Sequence, residues 1–146
     1  MTTPASDRAT TLTLRRSFPA ARERVFRAWT EREALQQWFR PGGRGLTFSK
    51  LDVRVGGSYR FDLDDGSDSM LGTYLEIVPP EKLVFSWSFA SMPDLETVVT
   101  VEFIEHGSST EVILTHRRLT SKELLSSHQA GWQSMLDQLA QVLATL

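Results

Sequence analysis

The spacing of hydrophobic residues changes three times along this chain. From Thr10 to Phe18 ("TTLTLRRSF"), Leu12, Leu14 and Arg16 fall at every second position, the period of a strand. From Ala20 to Phe39 the spacing lengthens to that of helices. Val25, Phe26 and Trp29 share one side of a first short helix near Ala20–Trp29, and Leu35, Trp38 and Phe39 share one side of a second. The second is expected to open on "TERE", with Thr30 as N-cap and Glu33 completing a capping box, and to end at "RPGGRG" (Arg40–Gly45). The period of two then returns. Leu46–Val55, interrupted near Ser49–Lys50, is followed by "SYRFDL", "MLGTYLEIV", "KLVFSWSFA", "TVVTVEFIE" and "TEVILTH". Turn signals at Gly56–Gly57, "DDGSDS", Pro79–Pro80, "SMPDLE" and "HGSS" separate them. Short connections between consecutive strands predict an antiparallel meander.

The last segment is helical again. "TSKE" predicts a capping box with Thr120 as cap and Glu123 as its partner. At 100° per residue, Leu124, Leu125, His128, Gly131, Trp132, Met135, Leu136, Leu139, Val142, Leu143 and Leu146 fall within an arc of roughly 140°. A helix apolar along its whole length needs a partner, and the sheet is the partner available. The predicted fold is α+β: a curved antiparallel sheet of about six to seven strands wrapped around a long C-terminal helix, with two short helices after the first strand. An internal cavity is a natural result, because a curved sheet does not close fully against a straight helix.

Size and composition sharpen this picture. At 146 residues the chain is expected to form one domain over 10–146, preceded by a loose tail over 1–9. A net charge of −2 with no basic run argues against general nucleic-acid binding. The absence of cysteine removes disulfides, thiolate nucleophiles and Cys-based zinc sites, which fits a cytoplasmic location. The N-terminus lacks signal-peptide regions, and no window is apolar enough to span a membrane.

Four stretches, "VFRAWTEREALQQWF" with Pro41 after it, "LDVRVGGSYRF", "GTYLEIVPPEKLVFSW" and "HQAGWQSMLDQLAQVL", resemble the START-like (SRPBCC, helix-grip) superfamily. Within it they resemble the branch named after the C-terminal domain of the co-chaperone that activates heat-shock protein 90 ATPase. The resemblance spans about Thr10 to Leu146. It implies the helix-grip fold and a hydrophobic cavity between sheet and long helix, but not one function, since relatives include lipid and hormone binders, polyketide cyclases and the co-chaperone domain. Arg40, between Phe39 and Pro41, departs from the small residue often found there. It either places a cation at the cavity mouth or points to solvent.

The candidate pocket residues are Trp29, Trp38, Phe39, Tyr59, Phe61, Tyr74, Phe85, Trp87, His116, His128, Trp132 and Met135. Aromatics on inward faces serve as core at least as readily as they contact ligand. Gly131 costs its helix about 1 kcal/mol relative to alanine, and is expected to let a neighbouring element approach closely. His128, one turn before Trp132, is either a core histidine satisfied by a carbonyl or a polar anchor for a ligand. His116 shares a strand face with Val112 and Leu114, and if both imidazoles point inward they meet, with pKa values depressed by burial. His106 belongs to an exposed hairpin. Arg60 is expected to face solvent, with Asp52, Arg54 and Glu76 in surface ion pairs, although Glu76 becomes a pocket candidate if it shares the inward face of Tyr74. No metal is expected, because the histidines lack ligand spacing. No cofactor is called for, since there is no phosphate loop, dinucleotide fingerprint or nucleophile elbow.

The leading expectation is a binding protein for a small hydrophobic or aromatic molecule, more a carrier than an enzyme. The alternatives are a cyclase or aromatase using His128, His116 or Glu76 as acid or base, and a chaperone-interaction module. Monomer and homodimer are both compatible with an exposed strand edge.

Overall fold

The computed structural model describes residues 11–144; the tail over 1–9, Thr10 and Leu146 lie outside them. Strand β1 (Leu12–Phe18) leads into helices α1 (Arg22–Thr30) and α2 (Arg32–Trp38) and a single 3-10 turn at Pro41–Gly43. Six strands follow: β2 (Leu46–Leu51), β3 (Ser58–Leu63), β4 (Ser69–Val78), β5 (Lys82–Phe89), β6 (Met92–His106) and β7 (Ser109–Arg117). Helix α3 (Lys122–Ala144) is the last element among the described residues. The sheet order is β1-β7-β6-β5-β4-β3-β2, antiparallel throughout. This is the expected meander, with β1 added beside β7.

The alternation read from sequence sets the faces. Leu12 and Phe18 of β1, Tyr59, Phe61 and Leu63 of β3, and Val99, Val101 and Phe103 of β6 point into one core. The buried side of α3, with Trp132, Met135, Leu136, Leu139 and Leu143, packs against it. Polar ties fix the helix to the sheet, to α1 and to the loop after α2. Arg16 of β1 pairs with Asp137 at 2.5 Å, Arg24 donates to the Leu143 carbonyl at 2.7 Å, and Gln138 donates to the Arg40 carbonyl at 3.0 Å. No helix among the described residues is long and apolar enough to cross a membrane.

Several local expectations need correction. Neither capping box forms as predicted. Helix α2 starts after Glu31, and Thr30, the last residue of α1, donates its hydroxyl back to the Phe26 carbonyl at 3.2 Å. The cap of α3 is Ser121, whose oxygen accepts the Leu124 amide at 3.1 Å, one residue after Thr120. The strand expected over Leu46–Val55 ends at Leu51, although the irregularity near Ser49 is present as a bulge between Phe48 and Lys50. The turn at "SMPDLE" shrinks to Ala90–Ser91, because β6 already begins at Met92 and slips register before Thr97.

The register of Glu76 is settled by another bulge. Tyr74 pairs with Phe85 but Glu76 pairs with Val84, so Leu75 is an extra residue and the alternation breaks. Glu76 therefore leaves the face of Tyr74 and pairs with Lys82 at 3.2 Å in solvent. Arg60 is exposed and pairs with Asp62, and Arg54 pairs with Asp52, both at 2.9 Å.

Candidate functional site

The interior between sheet and helices is a continuous aromatic layer, and its two ends differ. At the end roofed by α1 and α2, Trp29 and Trp38 meet edge-on with centroids 4.7 Å apart, and Phe39 packs against Phe61 at 5.4 Å. Tyr59, Tyr74 and Phe85 complete this cluster with centroids within 6.1 Å of one another. About 20 Å³ of free space remains there, lined by Trp29, Leu35, Phe39, Tyr59, Phe61, Tyr74, Phe85 and Trp87. The second end lies under the middle of α3. Trp87, Phe89, His128, Trp132, Met135, Met70, Ser127, Gly131 and Pro41 line a partly open cavity of about 140 Å³.

Twelve residues were expected at a pocket, and the structure divides them. Trp87, His128, Trp132 and Met135 line the larger cavity. Trp29, Phe39, Tyr59, Phe61, Tyr74 and Phe85 line the narrow space, as Trp87 does from its other side. Trp38 and His116 are fully buried and line neither. Trp38 donates its indole N–H to the Ala28 carbonyl at 2.8 Å, which locks α1 against α2.

Burial shapes the chemistry of both tyrosines. The Tyr59 hydroxyl donates to the Ser86 carbonyl at 2.6 Å, and burial, reinforced by neighbouring Tyr74, pushes its pKa up. Burial alone raises that of Tyr74. To reach Ser86, the Tyr59 phenol crosses β4 at Gly72. A Cβ there would sit 2.0 Å from the Ser86 oxygen and 2.7 Å from the phenol oxygen. Trp29 carries the odd polar atom of this end, since its indole nitrogen has no hydrogen-bond partner among the described residues.

The two inward histidines do meet, with ring centroids 4.9 Å apart. The strand parity that turns Val112 and Leu114 inward brings His116 opposite Val99, and the helix places His128 one turn before Trp132. Each imidazole is held by a tryptophan. Trp132 donates its indole N–H to His116 Nδ1 at 3.1 Å, and Trp87 donates to His128 Nε2 at 3.2 Å. An indole nitrogen can only donate, so both accepting nitrogens are unprotonated. The other nitrogen of each ring must then carry the proton. His116 Nε2–H donates to Thr97 Oγ1 at 2.7 Å, whose hydroxyl donates onward to the Trp87 carbonyl at 2.6 Å. His128 Nδ1–H donates to the Leu124 carbonyl at 2.8 Å. The result is a directed chain of hydrogen bonds from Trp132 to Thr97, resumed from the Trp87 side chain to the carbonyl of Leu124.

This wiring keeps both rings neutral. Burial, with a smaller contribution from His128, pulls His116 down to about 3. Burial also lowers His128, against the opposing pull of the Leu124 carbonyl. Protonating either ring would set a new N–H against an indole N–H. Neither imidazole has a free nitrogen to offer a reacting group, so acid–base work would require one of these bonds to break. Thr97 was missed in the sequence reading, though its parity with Val99, Val101 and Phe103 marks it as inward. Among the described residues no group of three or more His, Cys, Asp or Glu is placed to hold a metal ion.

Gly131 overturns its expectation. Nothing lies within 4 Å of the position its Cβ would take, so no neighbouring element uses the missing side chain to approach closely. The residue borders the larger cavity instead. Arg40 is exposed, the solvent-facing alternative.

A seven-stranded antiparallel sheet gripping one long helix, with two short helices at one end, defines the helix-grip class. Residues 19–144 match the family model described as Activator of Hsp90 ATPase homolog 1-like protein, and the chain belongs to that family. Among solved structures it is similar to protein CV1439 from Chromobacterium violaceum, at 27% identity over 92% of this chain and 96% of that one, with a TM-score of 0.84. PFC0360w, an HSP90 activator from Plasmodium falciparum, is also similar at 27% identity, covering 92% of this chain and 96% of its own, with a TM-score of 0.74. CalU16 from Micromonospora echinospora shares 25% identity over 92% of this chain and 76% of its own, with a TM-score of 0.73. No curated protein matches the chain.

Proposed function

We propose that this protein binds a small hydrophobic or aromatic molecule in the space between α3 and the sheet. The observation that carries the reading is the cavity of about 140 Å³ walled by Trp87, Phe89, Trp132, Met70 and Met135. A well-packed core of this size holds few voids larger than a water molecule, and an apolar cavity of about 150 Å³ takes a benzene-sized guest. The polar groups at its wall are already bonded: Trp87 Nε1 to His128 Nε2, Trp132 Nε1 to His116 Nδ1, and the Ser127 hydroxyl to the Leu124 carbonyl. The site therefore favours an uncharged ligand, because a buried charge would find no partner. The same saturation supports binding over cyclase-type turnover.

The test is titration with toluene, followed through the fluorescence of Trp87 and Trp132 and through thermal stability. Saturable binding at a ligand concentration of about 100 times Kd should add about 2.7 kcal/mol to stability. Native mass spectrometry of gently purified protein would name the natural class. If toluene and a broad set of apolar compounds leave both fluorescence and melting temperature unchanged, the reading fails.

The similarity to an HSP90 activator supports a second reading, a chaperone-interaction module. Stimulation of the chaperone ATPase by the purified protein would favour it. Absence of binding at tens of micromolar protein would remove it.

A further inference from the structure

Gly131 stands in the middle of a 23-residue helix, where glycine is unfavourable relative to alanine. Two ordinary reasons for keeping a glycine fail here. Its backbone does not take the left-handed conformation, which among the described residues is confined to other glycines and Arg118. Its missing side chain makes room for no neighbour, since the space around an added Cβ is open for 4 Å. The remaining feature is its position between two spaces. On the sheet side lies the cavity of about 140 Å³, itself partly open. Outside lies an open groove of about 300 Å³, bounded by Pro41, Gly42, Arg44, Ser127, Ala130 and Gly131. Pro41, Ser127 and Gly131 border both.

We propose that Gly131 is the port through which a single-ring, uncharged ligand enters the cavity under α3, and that the size of the side chain at this position decides whether a ring substituent can trail out into the groove. The inference rests on the binding reading above and adds to it an entrance and a ligand shape. The inner wall is mostly apolar, with both of its indole N–H groups already bonded to imidazoles, so the ring goes inside. The groove is open and carries Arg44, whose guanidinium already holds Asp65 and Ser67 at 3.0 and 2.8 Å. A polar tail would stay hydrated there. The predicted ligand is thus a flat apolar ring with a flexible, polar-ended substituent. Helix geometry favours this placement of the port, because a residue at 131 shares the face of His128 and Trp132 closely enough to edge their cavity, whereas Ala130 borders only the groove.

The experiment uses fluorobenzene, which fits wholly inside, and 4-phenyl-1-butanol, which has a tail. Exchange of fluorobenzene is read by fluorine NMR in the wild type, Gly131→Leu and Ala130→Leu, and 4-phenyl-1-butanol is measured as its competitor. Gly131→Leu should slow fluorobenzene exchange about tenfold or block uptake, and should weaken 4-phenyl-1-butanol by about tenfold or more. Ala130→Leu should leave both within about twofold. A melting temperature for Gly131→Leu no lower than that of the wild type would show that the helix persists. If the wild type binds fluorobenzene but Gly131→Leu changes neither its exchange nor the competitor's affinity, the port is wrong and the binding site stands. If Ala130→Leu acts as strongly as Gly131→Leu, the port is also wrong. If the wild type binds neither compound, the binding reading falls and the port falls with it.

Discussion

The two ends of the aromatic layer are built from the same residue types and reach opposite outcomes. Beneath α1 and α2, Trp29, Leu35, Phe39, Phe61, Tyr59, Tyr74 and Phe85 leave about 20 Å³. Beneath α3, Trp87, Trp132, Phe89 and two methionines leave about 140 Å³. The difference lies in what closes each end. Two short helices, held together by the Trp38 indole on the Ala28 carbonyl, fold down over the first. The second is roofed by a single 23-residue helix, which has a glycine where a side chain would reach over the gap. Aromatic content therefore does not distinguish core from cavity; the roof does.

The largest effect is expected at the filled end. Trp38→Ala removes a fully buried indole and should cost about 3–5 kcal/mol in chemical denaturation. Loss of the α1–α2 lock would accompany it, while toluene binding under α3 should survive wherever the protein remains folded. A small loss here would mean that the end collapses readily around the gap, and that the contrast with the α3 end is weaker than the volumes suggest. Gly72→Ala follows. With the Ser86 oxygen 2.0 Å from the new methyl carbon, the strands must part or Tyr59 must give up its bond. Destabilisation of about 1–3 kcal/mol is expected.

Between the two ends runs the histidine chain, which belongs to the packed interior although it touches the cavity. His116→Leu strands the Trp132 N–H in an apolar site and should cost about 1–3 kcal/mol. The same residue makes stability depend on pH. The folded His116 titrates at about 3 and an unfolded histidine near 6.5, so unfolding takes up a proton between those values. The stability this group contributes is complete above about 6.5 and declines as pH falls toward 3, with a slope of up to about 1.4 kcal/mol per pH unit. His128, also lowered by burial, adds to the slope below about 6.5. Denaturation at a series of pH values should show a shallower acid slope in His116→Leu. An unchanged slope would mean that other groups govern acid sensitivity and that His116 is not held neutral by the wiring described.

Much of this was legible in the sequence, and the failures share a cause. Alternation in β7 placed His116 inward beside Leu114, and the arc of α3 placed His128 with Trp132, because both depend only on local period. Glu76 escaped because one extra residue, Leu75, inverts the parity of everything after it. The caps slipped by one residue, to Glu31 and Ser121, where several polar residues in a row compete for the position. The indole–imidazole pairs were invisible because they require the registers of β5, β6 and β7 and the rotation of α3 together. Periodicity tells which way a residue points, but not what lies opposite.

Gly131 shows that limit best, and it supplies the smallest and most diagnostic change. Its place on the arc was read correctly, yet a close neighbour was inferred where the structure has open space. Gly131→Ala should therefore raise stability, by roughly 0.5–1 kcal/mol from helix propensity alone. The sign is opposite to that of Gly72→Ala, although both add one methyl to a glycine beside the same aromatic layer. Each variant reports the closure of its own end, since the methyl meets a carbonyl oxygen at one and nothing within 4 Å at the other. Thermal unfolding of the two variants beside the wild type measures the contrast directly. A loss of stability in Gly131→Ala would mean that the gap beside α3 closes in solution, and the larger cavity would then be no more available to a ligand than the narrow space under α1 and α2.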